Sequence, residues 1–184
     1  MKSKICGLTT TKQVKTCVNY EVDFCGFILN YKKSHRYINF KKLKQITNID
    51  KKNSSFVGVL VKPNQEELEL FSSQSNLDYF QIYGDYTVEQ IIQIKKKYKK
   101  KIIMSLQVKQ ENDVLKYKVY EEVADIILFD SSGLHESVSW NYDWIKKVPS
   151  TITRMLAGNI SEDMLENLKE ITDIVDVSGA LETD

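Results

Sequence analysis

Two turns in this sequence offer backbone to an anion. Leu156-Ala157-Gly158-Asn159 is followed by Ser161-Glu162-Asp163, and Ser178-Gly179-Ala180 closes a later apolar run. A small-residue turn ahead of a helix N-terminus points N–H groups at a phosphate or carboxylate. Two other positions carry groups able to move protons. Cys6 stands in a short apolar run near the N-terminus. A lone strand cysteine is more often a small buried hydrophobe than a reactive thiol. Asp130 closes the run Ile127-Leu128-Phe129. An acid there does not belong in a core unpaired. It is either a functional acid or a cap for Ser131-Ser132-Gly133, and these residues alone leave both readings open.

The elements that must position these groups are short apolar runs alternating with amphipathic stretches. Residues 5–8, 24–29, 56–61, 79–82, 102–105, 124–130, 151–156 and 174–177 read as strands. Between them, Val14, Cys17 and Val18 fall at helical spacing behind Thr10 or Thr11 as a cap. Helices are expected near 40–46 and within 111–122, an acidic segment spans 65–71, and Val88, Ile91, Ile92 and Tyr98 form one face of another helix. Strands alternating with helices make βαβ units and a parallel sheet, and eight of them suggest a closed (β/α)8 TIM barrel with no exposed edge. An open doubly wound sheet is the alternative, but no GxGxxG follows any strand. Residues 1–184 read as one barrel domain. In such a barrel the active site lies at the C-terminal strand ends, and the loops after strands 7 and 8 are the common phosphate site. Both turns fall there.

The 184 residues carry 26 basic and 25 acidic side chains, a balance that asks for neither nucleic acid nor an anionic membrane. The densest basic run, 95–101, holds six lysines around Tyr98 and reads as a solvated helix end. Cys6, Cys17 and Cys25 form no CxxC pair, which argues against a disulfide framework or a zinc ribbon and for a reducing cytoplasm. Cys17 and Cys25 read as core. The N-terminus lacks the apolar run of a secretory signal, and no stretch approaches the ~18 apolar residues of a membrane span.

Taken in order, the motifs resemble the phosphoribosylanthranilate isomerase family. Lys4-Ile5-Cys6-Gly7-Leu8-Thr9 is similar to its KICGLT opening. Gly26-Phe27-Ile28 with Ser34-His35-Arg36 resembles GFIF and SPR, and Val57-Gly58-Val59 resembles VGV. Leu77-Asp78 with Gln81-Ile82-Tyr83-Gly84 resembles LD..QLHG; Leu128-Phe129-Asp130 resembles LLD and Tyr142-Asp143-Trp144 resembles FDW. Leu156-Ala157-Gly158-Asn159-Ile160 and Asp176-Val177-Ser178-Gly179-Ala180-Leu181-Glu182 resemble LAGGL and DVSSGVE. The resemblance implies an Amadori rearrangement of N-(5-phosphoribosyl)anthranilate to 1-(2-carboxyphenylamino)-1-deoxyribulose 5-phosphate. It implies Cys6 as the base, Asp130 as the acid and Arg36 as the grip on the anthranilate carboxylate. Gly7, Tyr83, Ala157, Gly158, Asn159, Ser178, Gly179 and Ala180 would line the substrate site. No metal or organic cofactor is implied, and the expected assembly is a monomer or weak homodimer.

The chemistry needs a neutral acid and a thiolate near pH 7, so the site must shift both groups or use minor protonation states. Four departures from the family pattern bear on the site. His35 stands where proline is usual, so the loop before Arg36 is expected to be less rigid. Tyr83 stands where histidine is common, and any role of that imidazole is lost. Asn159 replaces a glycine, in a turn that asparagine's tolerance of left-handed backbone should preserve. Ala180 stands in place of glycine, where a methyl would crowd the phosphate if the backbone needed a positive φ. His135 is expected on a solvent-exposed loop, and Trp140 and Trp144 against the barrel. Only seven residues follow Val177, so the reading is of a barrel without its final helix. The rival readings are another sugar-phosphate barrel enzyme and a barrel that keeps phosphate binding without catalysis. Indole-glycerol-phosphate synthase would want lysine and glutamate at strand ends, where the fifth run here ends in Met104-Ser105.

Overall fold

A computed structural model describes residues 1–73, 76–131 and 138–181. Eight parallel strands pair in chain order, and the last pairs with the first to close a barrel. They are β1 (Lys2–Ile5), β2 (Phe24–Ile28), β3 (Ser55–Val61), β4 (Tyr79–Tyr83), β5 (Lys101–Val108), β6 (Ile126–Ser131), β7 (Arg154–Leu156) and β8 (Ile174–Val177). Helices α1 (Thr11–Asn19), α2 (Phe40–Thr47), α3 (Gln65–Ser73) and α4 (Val88–Tyr98) follow the first four strands. After β5 and β7 the helices shrink to α5 (Tyr117–Tyr120) and α6 (Leu165–Leu168), each preceded by a 3₁₀ turn; the 3₁₀ turn Tyr142–Lys147 precedes β7.

Local chemistry accounts for the starts. Thr10 and Thr87 each accept the N–H three residues on, with Gln13 and Gln90 returning the bond, so α1 and α4 open on capping boxes. The buried face of α1 is Val14, Cys17 and Val18, as the spacing predicts. On α4 the buried residues are Ile91 and Ile94, while Ile92 is half exposed, which corrects its expected place on the inner face.

The strand bounds also need correction. β1 begins at Lys2 and ends at Ile5, ahead of the expected 5–8, because a lysine inside a strand breaks the apolar pattern without breaking the strand. β5 runs to Val108, past Met104-Ser105, and β7 is limited to three residues because 149–152 close a turn from Ile152 N–H to the Pro149 carbonyl. The lysine run is a solvated helix end, as expected, with Lys96, Lys97, Lys99 and Lys101 exposed, and several of its lysines also find partners. Lys95 Nζ donates to the Val123 carbonyl at 3.1 Å and pairs with Asp125 at 2.9 Å, Lys97 pairs with Glu69, and Lys100 donates to the Leu77 carbonyl.

One device repeats around the N-terminal end of the barrel. Asp23, Asp78, Asp125 and Asp173 each stand one residue before an even-numbered strand, and each accepts an N–H at the start of the preceding odd strand. The donors are Ser3 at 2.9 Å, Phe56 at 2.8 Å, Ile102 at 2.7 Å and Arg154 at 2.8 Å. Each bond staples one βαβ unit across its base.

Strand alternation divides the buried residues between two regions. One face packs under the helices around Phe27, Phe56, Leu60, Phe80, Ile82 and Ile102. The other fills the barrel with Phe24, Val57, Ile103, Ile126, Leu128, Met155 and Ile174. Two residues further along their strands, the same inward alternation brings Gln81, Ser105 and Asp176 above this plug, and Lys4 joins them from β1. The barrel thus changes from apolar to polar on the way to its C-terminal mouth.

Candidate active site

A cleft of about 140 Å³ opens at that mouth. Cys6 lies just past β1, where its N–H still bonds the Val177 carbonyl at 2.9 Å. Asp130 is the fifth residue of β6. Both line the cleft, together with Arg36, Tyr83, Ala157, Gly158, Asn159, Ser178, Gly179 and Ala180. Every residue named from the sequence is therefore at one cleft, with Gly7 the exception as a lining group. Gly7 instead lies beneath Arg36: its φ is +85°, and a Cβ there would overlap Arg36 Cδ. The glycine lets the arginine cross the mouth, and a Cβ at Gly179 would lie 3.6 Å from Arg36 Nη2. In the loop carrying Arg36, Ser34 Oγ accepts the Arg36 N–H and the Ser34 carbonyl accepts the Tyr37 N–H.

The β7 turn is held from outside. Gly158 has φ +113° and Asn159 φ +50°, so the asparagine does adopt the left-handed backbone expected of it. Trp140 Nε1 donates to the Ala157 carbonyl at 2.9 Å, and the Tyr142 hydroxyl donates to the Gly158 carbonyl. Trp140 packs edge-on against Tyr142 and tilted against Trp144. The tryptophans do pack on the barrel, but Trp140 also braces the turn, a task its sequence position did not announce. At the β8 turn neither Gly179 nor Ala180 has a positive φ, so the condition under which the Ala180 methyl would crowd a phosphate is not met. His135 lies outside the described residues.

Asp130 keeps part of its capping role, since the Ser131 main chain bonds its carboxyl, while Ser132 and Gly133 lie outside the described residues. Asp130 Oδ2 accepts from the Tyr83 hydroxyl at 2.7 Å, and that hydroxyl in turn accepts from Gln81 Nε2 at 3.2 Å. Burial lifts the Asp130 carboxyl to about 6, against the pull of the Tyr83 bond. Burial and the neighbouring Asp130 hold the Tyr83 phenol well above its ordinary range, so it stays a donor. Burial also raises the Cys6 thiol; Lys4 draws it back down, and Asp176 and Asp130 push it up.

Lys4, Gln81 and Asp176 are site residues that the sequence reading passed over. Lys4 Nζ donates to Asp176 Oδ2 at 2.7 Å, with the lysine fully buried. Burial works against its charge, yet Asp176 and Cys6 carry its pKa to about 12. Gln81 and Asp176 line the cleft, and Gln81 Oε1 and Asp176 Oδ1 are buried without a hydrogen-bond partner among the described residues. The available signal was a charge inside an otherwise apolar run: lysine before Ile5-Cys6, and aspartate between Val175 and Val177.

Residues 3–184 match the family model described as N-(5'-phosphoribosyl)anthranilate isomerase. The N-(5'-phosphoribosyl)anthranilate isomerase of Zymomonas mobilis is 29% identical over 191 residues, covering 100% of this chain and 90% of that protein. That of Staphylococcus aureus is 27% identical over 173 residues, covering 93% of this chain and 82% of that protein. The fold is shared with phosphoribosyl anthranilate isomerase from Thermotoga maritima at a TM-score of 0.88 and 23% identity, covering 100% of this chain and 90% of that one.

Proposed function

This chain belongs to the N-(5'-phosphoribosyl)anthranilate isomerase family and isomerises N-(5'-phosphoribosyl)anthranilate in tryptophan biosynthesis, and we propose that Cys6 and Asp130 perform its two proton transfers. The observation that carries this assignment is a thiol and a carboxyl raised to about 6 facing one cleft. The β7 and β8 turns at its rim are placed for a phosphate.

Asp130 gives its proton to the furanose ring oxygen. The C1′–O bond breaks as the anthranilate nitrogen lone pair forms a C=N bond, leaving a protonated Schiff base. The Cys6 thiolate then takes the C2′ proton, and that electron pair makes the C1′=C2′ bond of an enolamine while nitrogen recovers its lone pair. Protonation at C1′ and loss of the hydroxyl proton at C2′ give the ketone. The Tyr83 bond to Asp130 Oδ2 holds the carboxyl at the cleft, toward the substrate. Arg36 offers a planar, bidentate grip suited to the anthranilate carboxylate. The main chain of Ala157, Gly158, Asn159, Ser178, Gly179 and Ala180 takes the phosphate. These steps call on no metal or organic cofactor.

A carboxylic acid beside a thiolate is the minor tautomer of the singly protonated pair, since the carboxyl has the lower pKa. The population of that pair is level between the two values and falls outside them. kcat/KM therefore declines below pH about 6 and again above the raised value of the thiol.

The thiols of Cys6, Cys17 and Cys25 are free, in keeping with a cytoplasmic working place. Among the described residues no helix is long and apolar enough to cross a membrane. A chain that acts alone or as a weak homodimer suits a site whose named residues all come from one copy. Turnover of freshly made phosphoribosylanthranilate, followed as loss of anthranilate-type fluorescence, tests the reading. Absence of turnover, together with failure to support a tryptophan auxotroph lacking this isomerase, would leave a barrel that binds phosphate without this chemistry.

A further inference from the structure

The two proton transfers use neither Lys4 nor Asp176, yet a fully buried ammonium is costly to maintain without a function or a complete set of partners. Among the described residues the set is incomplete: Lys4 occupies Asp176 Oδ2, and Asp176 Oδ1 has no partner. Lys4 and Cys6 are two residues apart, so both turn toward the barrel axis. They also press on the same bare backbone. A Cβ at Gly26 would lie 3.0 Å from Cys6 Sγ and 3.2 Å from Lys4 Cε. Glycine on β2 makes the room in which an ammonium and a thiol share one site.

We propose that Lys4, anchored by Asp176 across the β1–β8 seam, is the positioning residue for Cys6, supplying the counter-ion of its thiolate and holding the sulfur toward the substrate. This rests on the reading of Cys6 as the base. The groups that bear on Cys6 are Lys4 from its own strand, Asp176 from β8, Asp130 from β6 and Tyr83 from β4. On β2, Cys25 belongs to the opposite face, against Cys17, and Arg36 passes over Gly7 toward Gly179. Burial and both carboxylates disfavour the thiolate, and Lys4 is the largest opposing influence. Lys4 offsets part of that rise, and without it the thiolate would be rarer still.

The test is the pH dependence of Cys6 alkylation by iodoacetamide, with the Cys6→Ala protein as the blank for Cys17 and Cys25. An opposite charge at close range shifts a pKa by roughly 1–3 units. Lys4→Gln, which keeps a donor for Asp176 but no charge, should therefore move the thiol upward and slow alkylation at pH 7 by about 10-fold or more. kcat should fall by a similar factor across the level range with KM little changed, and its alkaline limb should move to higher pH. Lys4→Arg should restore part of both. If Lys4→Gln does not fold, adding Asp176→Asn neutralises both partners. Lys4 outweighs Asp176 in its effect on Cys6, so the thiol should still move up. A folded variant whose alkylation profile and kcat–pH profile coincide with wild type overturns the proposal. If Cys6→Ala turns over normally while alkylation still follows Lys4, the base assignment fails and the Lys4–Cys6 coupling stands.

Discussion

At the N-terminal end of the barrel, Asp23, Asp78, Asp125 and Asp173 each meet a backbone N–H and remain partly open to water. At the C-terminal end, Asp130 accepts a hydrogen bond from a phenol and is lifted to about 6, and Asp176 is buried against a lysine. The same side chain fastens backbone at one end and holds chemistry at the other. What differs is solvation and partner. A carboxylate that keeps its water and accepts an N–H is a staple, whereas one stripped of water becomes an acid of adjustable strength. This separation of stability from catalysis by barrel face can be broken experimentally.

The largest effects belong to the mouth. Cys6→Ala and Asp130→Asn should each lower kcat by at least ~100-fold, since positioned proton transfer is typically worth roughly 10²–10⁴. Their melting temperatures should stay near that of the wild type. Near-normal turnover in either variant removes that residue from the mechanism. Next comes Arg36→Met. Loss of a charged, bidentate contact costs about 1.5–3 kcal/mol, roughly 10- to 100-fold in KM. The difference from wild type should vanish with a substrate analogue lacking the carboxylate. If it persists with that analogue, the guanidinium serves the phosphate turn beside Gly179 instead.

A smaller change is expected for Tyr83→Phe. The Tyr83 bond stabilises the charged form of Asp130, so removing it raises the carboxyl further, and the acid limb of kcat/KM should move above pH about 6. A limb that stays in place, or moves down, would separate Tyr83 from the acid. The smallest catalytic effect is expected at the base of the barrel. Asp173→Ala loses the bonds to Arg154 N–H and Nε and should cost about 1–2 kcal/mol in urea unfolding, with kinetic constants unchanged. A drop in kcat in the folded variant would show that the two ends are not independent.

The order of the eight strands was legible because each carries enough β-branched and aliphatic residues to mark its place. Their ends were less so. Lys4 hid most of β1, since the partner that makes a buried lysine tolerable is 172 residues away, beyond any local pattern. Ile92 was misplaced because it and Ile91 are equally apolar, and packing against the barrel decides between them. Cys6, Asp130 and the two turns were visible as unusual residue types at the ends of apolar runs. The bond from Tyr83 to Asp130 was not, because β4 and β6 are separated by β5 and the two residues lie 47 apart in the chain. The four staples had a readable signature that went unused: Val22-Asp23-Phe24, Leu77-Asp78-Tyr79, Ala124-Asp125-Ile126 and Thr172-Asp173-Ile174. A single such aspartate is unremarkable, and it is the repetition at alternate strands that carries the information.

The spans of these contacts order the assembly of the molecule. The four staples close loops of 20, 22, 23 and 19 residues, whereas the Lys4–Asp176 pair joins residues 172 apart. Short loops are entropically cheaper to close, so βαβ units can form one by one before the first and last strands meet. Until they meet, Cys6 has neither its counter-ion nor its dry surroundings and is an ordinary thiol. An unclosed chain can thus hold much of its helix and sheet and still be chemically inert. In refolding, turnover should appear after the far-ultraviolet circular dichroism signal, and simultaneous recovery of the two would rule this order out. The seam between β1 and β8 is where folding ends and where the enzyme begins.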